Sequence, residues 1–461
     1  MANKWKVTSL KELGIQLIDC DHKTPKAVEN GVPYIGIPQM DKGRINFAAN
    51  PRLISEEDFV KWTRKANPKY GDVILSRRCN SGETVYVPKN SKFALGQNLV
   101  LLRPEGDRIH PEYLRWAVHG HEWWNEVAKY LNPGAIFESL KCGDIPKFEI
   151  PEPPKNVQIK IAEVLSAISD KIELNQQTNQ TLGHMAQTLF KSWFIDFDPV
   201  IDNVLAAGSN ISDFPVALQL AAEQRKQAHQ LPNFKSFPEN IRALFPSDFE
   251  QSDDPKIGFS GWVPKGWEMK FLYDLGEFIN GAAYKKFEPN QNREGLPIVK
   301  IAELKNGITA NTGFSTVDMP KKYHLKDQDI LFSWSGNPET SIDTFVWARG
   351  DAWLNQHIFK VVPNKLSNYS FLFSLLKYLK PEFTAIARDK QTTGLGHVTV
   401  KNLKELNVVM PSNELLNTFE KQLHPILERM FLNLKNTQLM EKQRDILLPK
   451  LISGQILIKT D

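Results

Sequence analysis

Three cysteines in 461 residues, at positions 20, 79 and 142, are too few and too far apart for a disulfide framework or a Cys-x-x-Cys metal site. That usage fits a reducing cytosol. No apolar run approaches the roughly 20 residues that a membrane helix requires, and Met1-Ala-Asn-Lys-Trp-Lys6 is no signal peptide, so the expected location is cytoplasmic. A Gly-x4-Gly-Lys-[Ser/Thr] phosphate loop is absent, which excludes the usual nucleotide hydrolysis. Gly394-Leu-Gly396 lacks the third glycine of a dinucleotide fingerprint and reads as a turn. The Asn/Asp-Pro-Pro-aromatic motif of amino-methyltransferases is also missing; Glu152-Pro-Pro-Lys155 and Asp198-Pro-Val200 do not match it. Acids are scattered, without the carboxylate–lysine grouping of a nuclease. His119-Gly-His121-Glu122 lies beside Trp116, Trp123 and Trp124 and reads as a packed aromatic face in place of a metal ligand set. The expectation is a chain that catalyses nothing alone and binds no metal or cofactor of its own.

What the sequence does have is a second copy of itself. Leu10-Lys-Glu-Leu-Gly14 returns as Leu272-Tyr-Asp-Leu-Gly276, and the run Val32–Gly43 matches Leu296–Gly307. Gly71-Asp-Val-Ile-Leu-Ser76 matches Gln328-Asp-Ile-Leu-Phe-Ser333, and Gln97-Asn-Leu-Val100 matches Gln356-His-Ile-Phe359. Gly134 through Pro151 aligns without a gap to Gly394 through Pro411. An offset of about 260 residues exceeds solenoid periods and means duplicated domains. Charge follows the repeat. Residues 1–150 hold 22 lysines and arginines against 18 acids, and residues 262–410 hold 19 against 15, a net +4 each; the rest of the chain nets −4. Two mildly basic lobes on acidic connecting parts suit a polyanion held by the lobes.

Each lobe opens with short β-type runs such as Val32–Ile37, Val73–Ser76 and Leu99–Leu102, then turns helical over Pro111–Tyr130 and Tyr369–Ala387. That mixture predicts α/β (α+β) lobes. Ile161, Leu165, Ile168, Ile172, Asn175, Asn179, Leu182, Ala186 and Leu189 then step by fours and threes, the seam of a coiled-coil helix over about 157–194. The second copy carries Leu423, Leu427, Met430, Leu434 and Thr437. Asn175 and Asn179 would fix register. Met185, Leu189, Trp193 and Phe194 extend the apolar face further than an internal pair covers, which predicts partner helices. The expected divisions are 1–152 (first lobe), 153–199 (central helix), 200–261 (linker and small helical subdomain), 262–411 (second lobe) and 412–461 (C-terminal helix).

Candidate binding residues cluster in turns. Arg77, Arg78 and Asn80 follow one strand, while Trp334, Ser335 and Asn337 follow its repeat counterpart. Arginine can take guanine bidentately and asparagine adenine. Lys42, Arg44, Lys285, Lys286, Lys305 and Asn306 add candidates, as does Arg388-Asp-Lys-Gln-Thr392 through Arg388, Lys390 and Gln391. The framework repeats while the loop chemistry diverges, as expected of two lobes that read different sequences.

Three signatures carry a family likeness. Ala186-Gln-Thr-Leu-Phe-Lys-Ser-Trp-Phe-Ile-Asp-Phe-Asp-Pro199, then Leu244-Phe-Pro-Ser-Asp-Phe-Glu250 with Val263-Pro-Lys-Gly-Trp267, and Leu447-Leu-Pro-Lys-Leu-Ile-Ser-Gly-Gln-Ile456 occur in that order along the full length. With them the chain resembles the specificity subunit of Type I restriction–modification systems. The resemblance implies duplicated target recognition domains joined by two long antiparallel coiled-coil helices, each domain reading one half of a bipartite duplex DNA target. It further implies a bacterial or archaeal, DNA-associated complex with two modification subunits, which use S-adenosylmethionine to methylate adenine, and two ATP- and Mg²⁺-dependent restriction subunits. No catalytic residue carries over from the family to this chain. Two rival readings stay open at this point: a cryptic methyltransferase or nuclease, which incubation with DNA, S-adenosylmethionine and Mg²⁺ would reveal, and a scaffold that binds only protein, which failure to bind DNA with partners present would favour.

Overall fold

The computed structural model describes residues 5–132, 138–391 and 394–458. Gly134–Phe137, at the start of the ungapped repeat match, and Thr392, at the end of the basic turn, lie outside the described residues. The chain forms two compact units, residues 1–174 with 437–461, and residues 175–436.

In the first unit a four-stranded antiparallel sheet runs in the order Ile15–Asp19, Leu99–Pro104, Val73–Ser76, Thr84–Tyr86. Val73-Ile-Leu75 and Leu99-Val-Leu-Leu102 are unbroken apolar runs because both faces of these inner strands are covered. Successive side chains point to opposite faces. Val73, Leu75, Val100 and Leu102 therefore pack on the helical layer with Tyr113, Leu114 and Trp123. Ile74, Leu99 and Leu101 pack on the other side with Ile35 and Phe93. Burying each such side chain contributes about 1.5–3 kcal/mol. A smaller sheet centres on Val32–Ile35, antiparallel to Arg52–Ile54 and parallel to Ala94–Leu95. Val7–Ser9 pairs with Glu149–Pro151 where the lobe begins and ends.

The second unit repeats this topology. Its main sheet runs Gly276–Asn280, Ile358–Pro363, Ile330–Ser333, Asp343–Val346. Leu296–Val299 lies parallel to Ala352–Leu354 in the smaller sheet, and Glu268–Phe271 pairs with Asn407–Met410. The helical stretches of both lobes are each split in two. Pro111–Ala117 and His121–Tyr130 break at the Gly120 cap, and Tyr369–Tyr378 and Lys380–Asp389 break where Pro381 removes a backbone donor.

The central helix, Lys155–Phe194, and the C-terminal helix, Asn413–Ile452, are 40 residues each. They run antiparallel. Within the second unit Phe190 meets Phe419 with ring centroids 6.2 Å apart, while Asn179 meets Met430 and Asn433. Ile161, Leu165, Ile172 and Asn175 are buried on the seam, and Ile168, Asn179, Leu182 and Leu189 are half-buried. On the C-terminal helix Leu423 and Leu427 are buried and Met430 is half-buried. Leu434 does not belong to the seam: it is 38% exposed, and Asn433 is buried in its place. After Met430 the covered face continues through Asn433 and Thr437. Asn433 also donates to Asn179 Oδ1 at 2.9 Å, a bond no leucine could make.

The expected partner surface at the end of the central helix is corrected as well. Trp193 and Phe194 are buried, with Trp193 against Phe245 and Phe194 against Phe371 and Phe419 at centroid separations of 5.2, 5.0 and 4.8 Å. The intervening helices Asp198–Ala206 and Val216–His229 supply Val200, Ile201, Leu218 and Ala222 to the same core. Buried Asp202 anchors them through a bidentate contact with Arg225, both bonds 2.7 Å. Met185 alone of the four expected residues is exposed.

Candidate nucleic-acid interface

In each lobe the inner strand ends where its antiparallel neighbour begins, and the residue that follows the inner strand is held in the same way. Arg77 N–H donates to Asn98 O at 3.0 Å, and Arg77 O accepts from Leu140 N–H at 2.9 Å. Trp334 N–H donates to His357 O at 3.4 Å, and Trp334 O accepts from Val398 N–H at 2.8 Å. The side chains keep the parallel. Arg77 Nη2 lies 3.9 Å from Oδ1 of Asp19, the last residue of the edge strand Ile15–Asp19. Trp334 Nε1 donates at 3.1 Å to Oδ1 of Asn280, the last residue of Gly276–Asn280. One scaffold therefore presents a different chemistry in each lobe.

In the first lobe the loop is tightly built. Ser76 Oγ contacts the carbonyls of Arg78 and Cys79 at 3.0 and 3.1 Å, and Ser81 Oγ reaches those of Arg77 and Glu138 at 3.0 and 3.1 Å. Cys79 and Asn80 take left-handed φ angles of 51° and 65°, which turns the chain within two residues and leaves Arg78 and Asn80 exposed. Arg77 is different: its side chain is only 11% exposed, and it faces Asp19. His22 closes the group, with Nδ1 3.0 Å from Gln97 O and Nε2 3.1 Å from Asp19 Oδ2. Asp19, Cys20 and His22 offer three ligand atoms within 4.8 Å of one another. Burial, and then the Asp19 charge, push the Cys20 thiol up to about 11, and its Sγ donates to Gly96 O at 3.2 Å, so this sulfur stays a protonated donor at neutral pH. Burial likewise raises the Cys142 thiol.

In the second lobe Ser335–Gly336 pairs with Gly396–His397 beside Trp334, whose ring lies 5.7 Å from His357 and 5.8 Å from Phe359. Asn337 caps the short helix Pro338–Ser341, its Oδ1 accepting from Glu339 N–H and Thr340 N–H at 3.0 and 3.1 Å. Arg388 Nε donates to Glu339 at 2.6 Å, and Lys390 Nζ to Asn402 at 2.6 Å. Gln391 is exposed, its backbone donating to Arg388 O. Trp334, Ser335, Asn337 and Arg388 are thus brought together.

The remaining candidates are placed apart from these loops. Lys42 is exposed at the tip of the hairpin Met40–Asp41 / Arg44–Ile45. Arg44 points to the central helix: its guanidinium donates to Ser169 at 3.0 Å and pairs with Asp170 and Glu173, which makes it an anchor between lobe and helix and removes it from the open surface. Lys285 and Lys286 are exposed on the turn Tyr284–Phe287, and Lys305 and Asn306 at the end of the helix Ile301–Asn306. Asp19, His22, Gln97 and Asn98, with Asn280, Gln356 and His357, were not singled out in the sequence. The matched pairs Gln97-Asn98 and Gln356-His357 held the signal, because polar residues repeated at the start of a buried strand serve no packing purpose.

Comparison with known proteins adds four findings. A family model described as the Type I restriction modification DNA specificity domain matches residues 2–184 and again 264–441. The chain is similar to the Type I restriction enzyme HindI specificity subunit of Haemophilus influenzae, 25% identical over 410 residues that cover 84% of this chain and 87% of that protein. It is also similar to the MjaIX specificity subunit of Methanocaldococcus jannaschii, 24% identical over 464 residues, 99% of this chain and 94% of the other. Among solved structures, the S subunit of a Type I restriction–modification system from M. genitalium shares the fold, with a TM-score of 0.55 at 15% identity, covering 100% of this chain and 97% of that one.

Proposed function

The chain belongs to the Type I restriction–modification DNA specificity family, and on that premise we propose how its two lobes divide the work of reading DNA. Each lobe reads one half of a bipartite duplex target through the loops gathered at its strand ends. Arg78 and Asn80 lead in the first lobe, and Ser335, Gln356, His357 and Gln391 in the second. The observation that carries this reading is the shared three-way junction at Arg77 and Trp334, where backbone hydrogen bonds repeat and side chains do not. A scaffold that fixes position while varying donors and acceptors is what base-edge recognition requires. The basic turns at Lys42, Lys285, Lys286 and Lys305 supply phosphate contacts that orient the lobes.

The paired helices set the number of base pairs between the half-sites. Leu174, Met185, Leu432, Leu439 and Ile446, exposed on them, offer apolar surface to partner helices. Those partners are two modification subunits, which carry S-adenosylmethionine and the methyl transfer, and two restriction subunits, which carry ATP and Mg²⁺. The assembly works in the cytoplasm of a bacterium or archaeon; no described helix is long and apolar enough to cross a membrane. Selecting bound duplexes from a random library, with modification subunits present, tests the reading. Two short constant blocks around a spacer of fixed length and free sequence are expected. One contiguous block, or no enrichment, would overturn it.

A further inference from the structure

The first unit holds a cavity of about 510 Å³ that the base-reading loop at Arg77–Asn80 does not enter. Its walls come from the hairpin around Gly43, the start of the helix His121–Tyr130, Ser169 of the central helix and residues 444–449 of the C-terminal helix. The size falls in the range of small-molecule pockets, roughly 300–1,000 Å³. Three guanidinium groups, Arg44, Arg115 and Arg444, line it. Two are matched. Arg44 is paired with Asp170 and Glu173, and Arg444 donates from Nε and Nη2 to Asp445 at 3.0 and 2.9 Å.

Arg115 is matched in charge by Glu112 but not by a hydrogen bond. Its side chain is 10% exposed, and its carboxylate neighbour Glu112 lies 3.7 Å away, beyond hydrogen-bond distance. Glu112 Oε1 instead accepts from the hydroxyls of Tyr70 and Tyr86, both at 2.6 Å. Among the described residues Arg115 donates no hydrogen bond; its guanidinium carbon lies over the rings of Tyr86 and Trp116, 4.9 and 4.8 Å from their centroids. The ion pair and the two rings leave the Arg115 N–H donors without an acceptor among the described residues, so they are free to take the oxygens of a ligand in the cavity. The rest of the wall favours an anion with a ring. Burial, then Arg115 and Arg444, hold the His119 imidazole down at about 4, so it adds no charge at pH 7. Asp41 and Glu83 also line the space but are exposed to water. Trp116 has its Nε1 committed to Ser166 at 3.0 Å, and Trp124 is 42% exposed, leaving its ring open to solvent.

We propose that this cavity binds a mononucleotide, its phosphate taken bidentately by Arg115 and its base lying against Trp124. Arginine's fork matches phosphate geometry, and aromatic rings stack on any base. The site lies apart from the loops at Arg77 and Trp334 and shares only the Lys42 turn with the phosphate contacts argued above, so AMP binding and base selection are separately measurable. The full-length chain with its modification subunits is titrated calorimetrically with AMP, adenosine and inorganic phosphate, in the presence of saturating duplex DNA. Saturable AMP binding is expected, tighter than that of either fragment. Arg115→Met should weaken it about tenfold or more, since a charge-assisted hydrogen bond is lost. Arg115→Lys keeps the charge without the fork and should fall between. Trp124→Ala should weaken AMP and leave inorganic phosphate unchanged, and it keeps the test intact if Arg115→Met does not fold. Absence of saturable AMP binding by the unaltered chain overturns the proposal. So does unchanged AMP affinity in both Arg115→Lys and Trp124→Ala.

Discussion

Arg77 Nη2 lies 3.9 Å from Asp19 Oδ1, so the loop after the inner strand of the first lobe is closed against the end of its edge strand. Its neighbour Arg78 is exposed, and the two arginines therefore have different tasks. Arg78→Ala should cost about 1–3 kcal/mol of discrimination at a single base pair and leave the rest of the half-site intact. Arg77→Ala should loosen the loop and blur the whole half-site. Binding measured against a panel of single-base target variants separates these outcomes; equal, sequence-independent weakening by Arg78→Ala would show a phosphate contact instead.

Asn433 Nδ2 donates to Asn179 Oδ1 at 2.9 Å, and Asn179 Nδ2 donates to Met430 O at 3.0 Å, across the seam of the two long helices. Asn433→Leu strands a half-buried acceptor and should lower stability by about 1–3 kcal/mol. The double change Asn179→Leu with Asn433→Leu should recover most of that loss while relaxing the register. Denaturant unfolding of these two variants, of Asn179→Leu and of the parent chain gives the coupling energy; additive losses would mean that the two side chains act independently.

Little of the junction was legible in the sequence, whereas the frame around it was. The repeat, the order of elements and the helix seam depend on local pattern and length, so Val73–Ser76 and Ile161 to Leu189 announced themselves. Leu434 misled because Asn433, one position earlier, takes the covered place through its bond to Asn179, and Trp193 because an apolar stripe does not say which surface covers it. Arg44 looked like a free turn cation until the fold set Ser169, Asp170 and Glu173 beside it. Asp19 and Asn280 act through contacts more than fifty residues away, which no local pattern encodes.

The Asp343 carboxylate is governed first by burial, which raises its pKa, but Lys377, Lys380 and the Thr344 N–H together bring it below the ordinary value. A depressed folded pKa contributes stability above the unfolded aspartate range, roughly pH 4, and that contribution is lost as the pH falls through the folded value. Asp343→Asn should therefore be less stable than the parent chain at pH 7, with the difference shrinking as the pH falls below about 4. A gap that stays constant across an acid titration would contradict this.

The two 40-residue helices are each about 60 Å long at 1.5 Å per residue. Matched insertions of four residues, one near Gln176–Gln180 and one near Asn433–Thr437, add about 6 Å and just over one turn, so the apolar seam nearly keeps its facing. Methylated sites should retain both half-sequences and gain one or two base pairs of spacer, given about 3.4 Å per base pair. An unchanged spacer in an active complex would remove the helices from that role.

The account rests on two lobes that read independently, and exchange of one lobe tests it most directly. Residues 1–150 are replaced by the corresponding lobe of a relative with a different target, and the methylome is sequenced in cells that also carry the modification subunits. The account predicts that one half of the methylated sequence changes to that of the donor while the other half and the spacer persist. A change in both halves would contradict it.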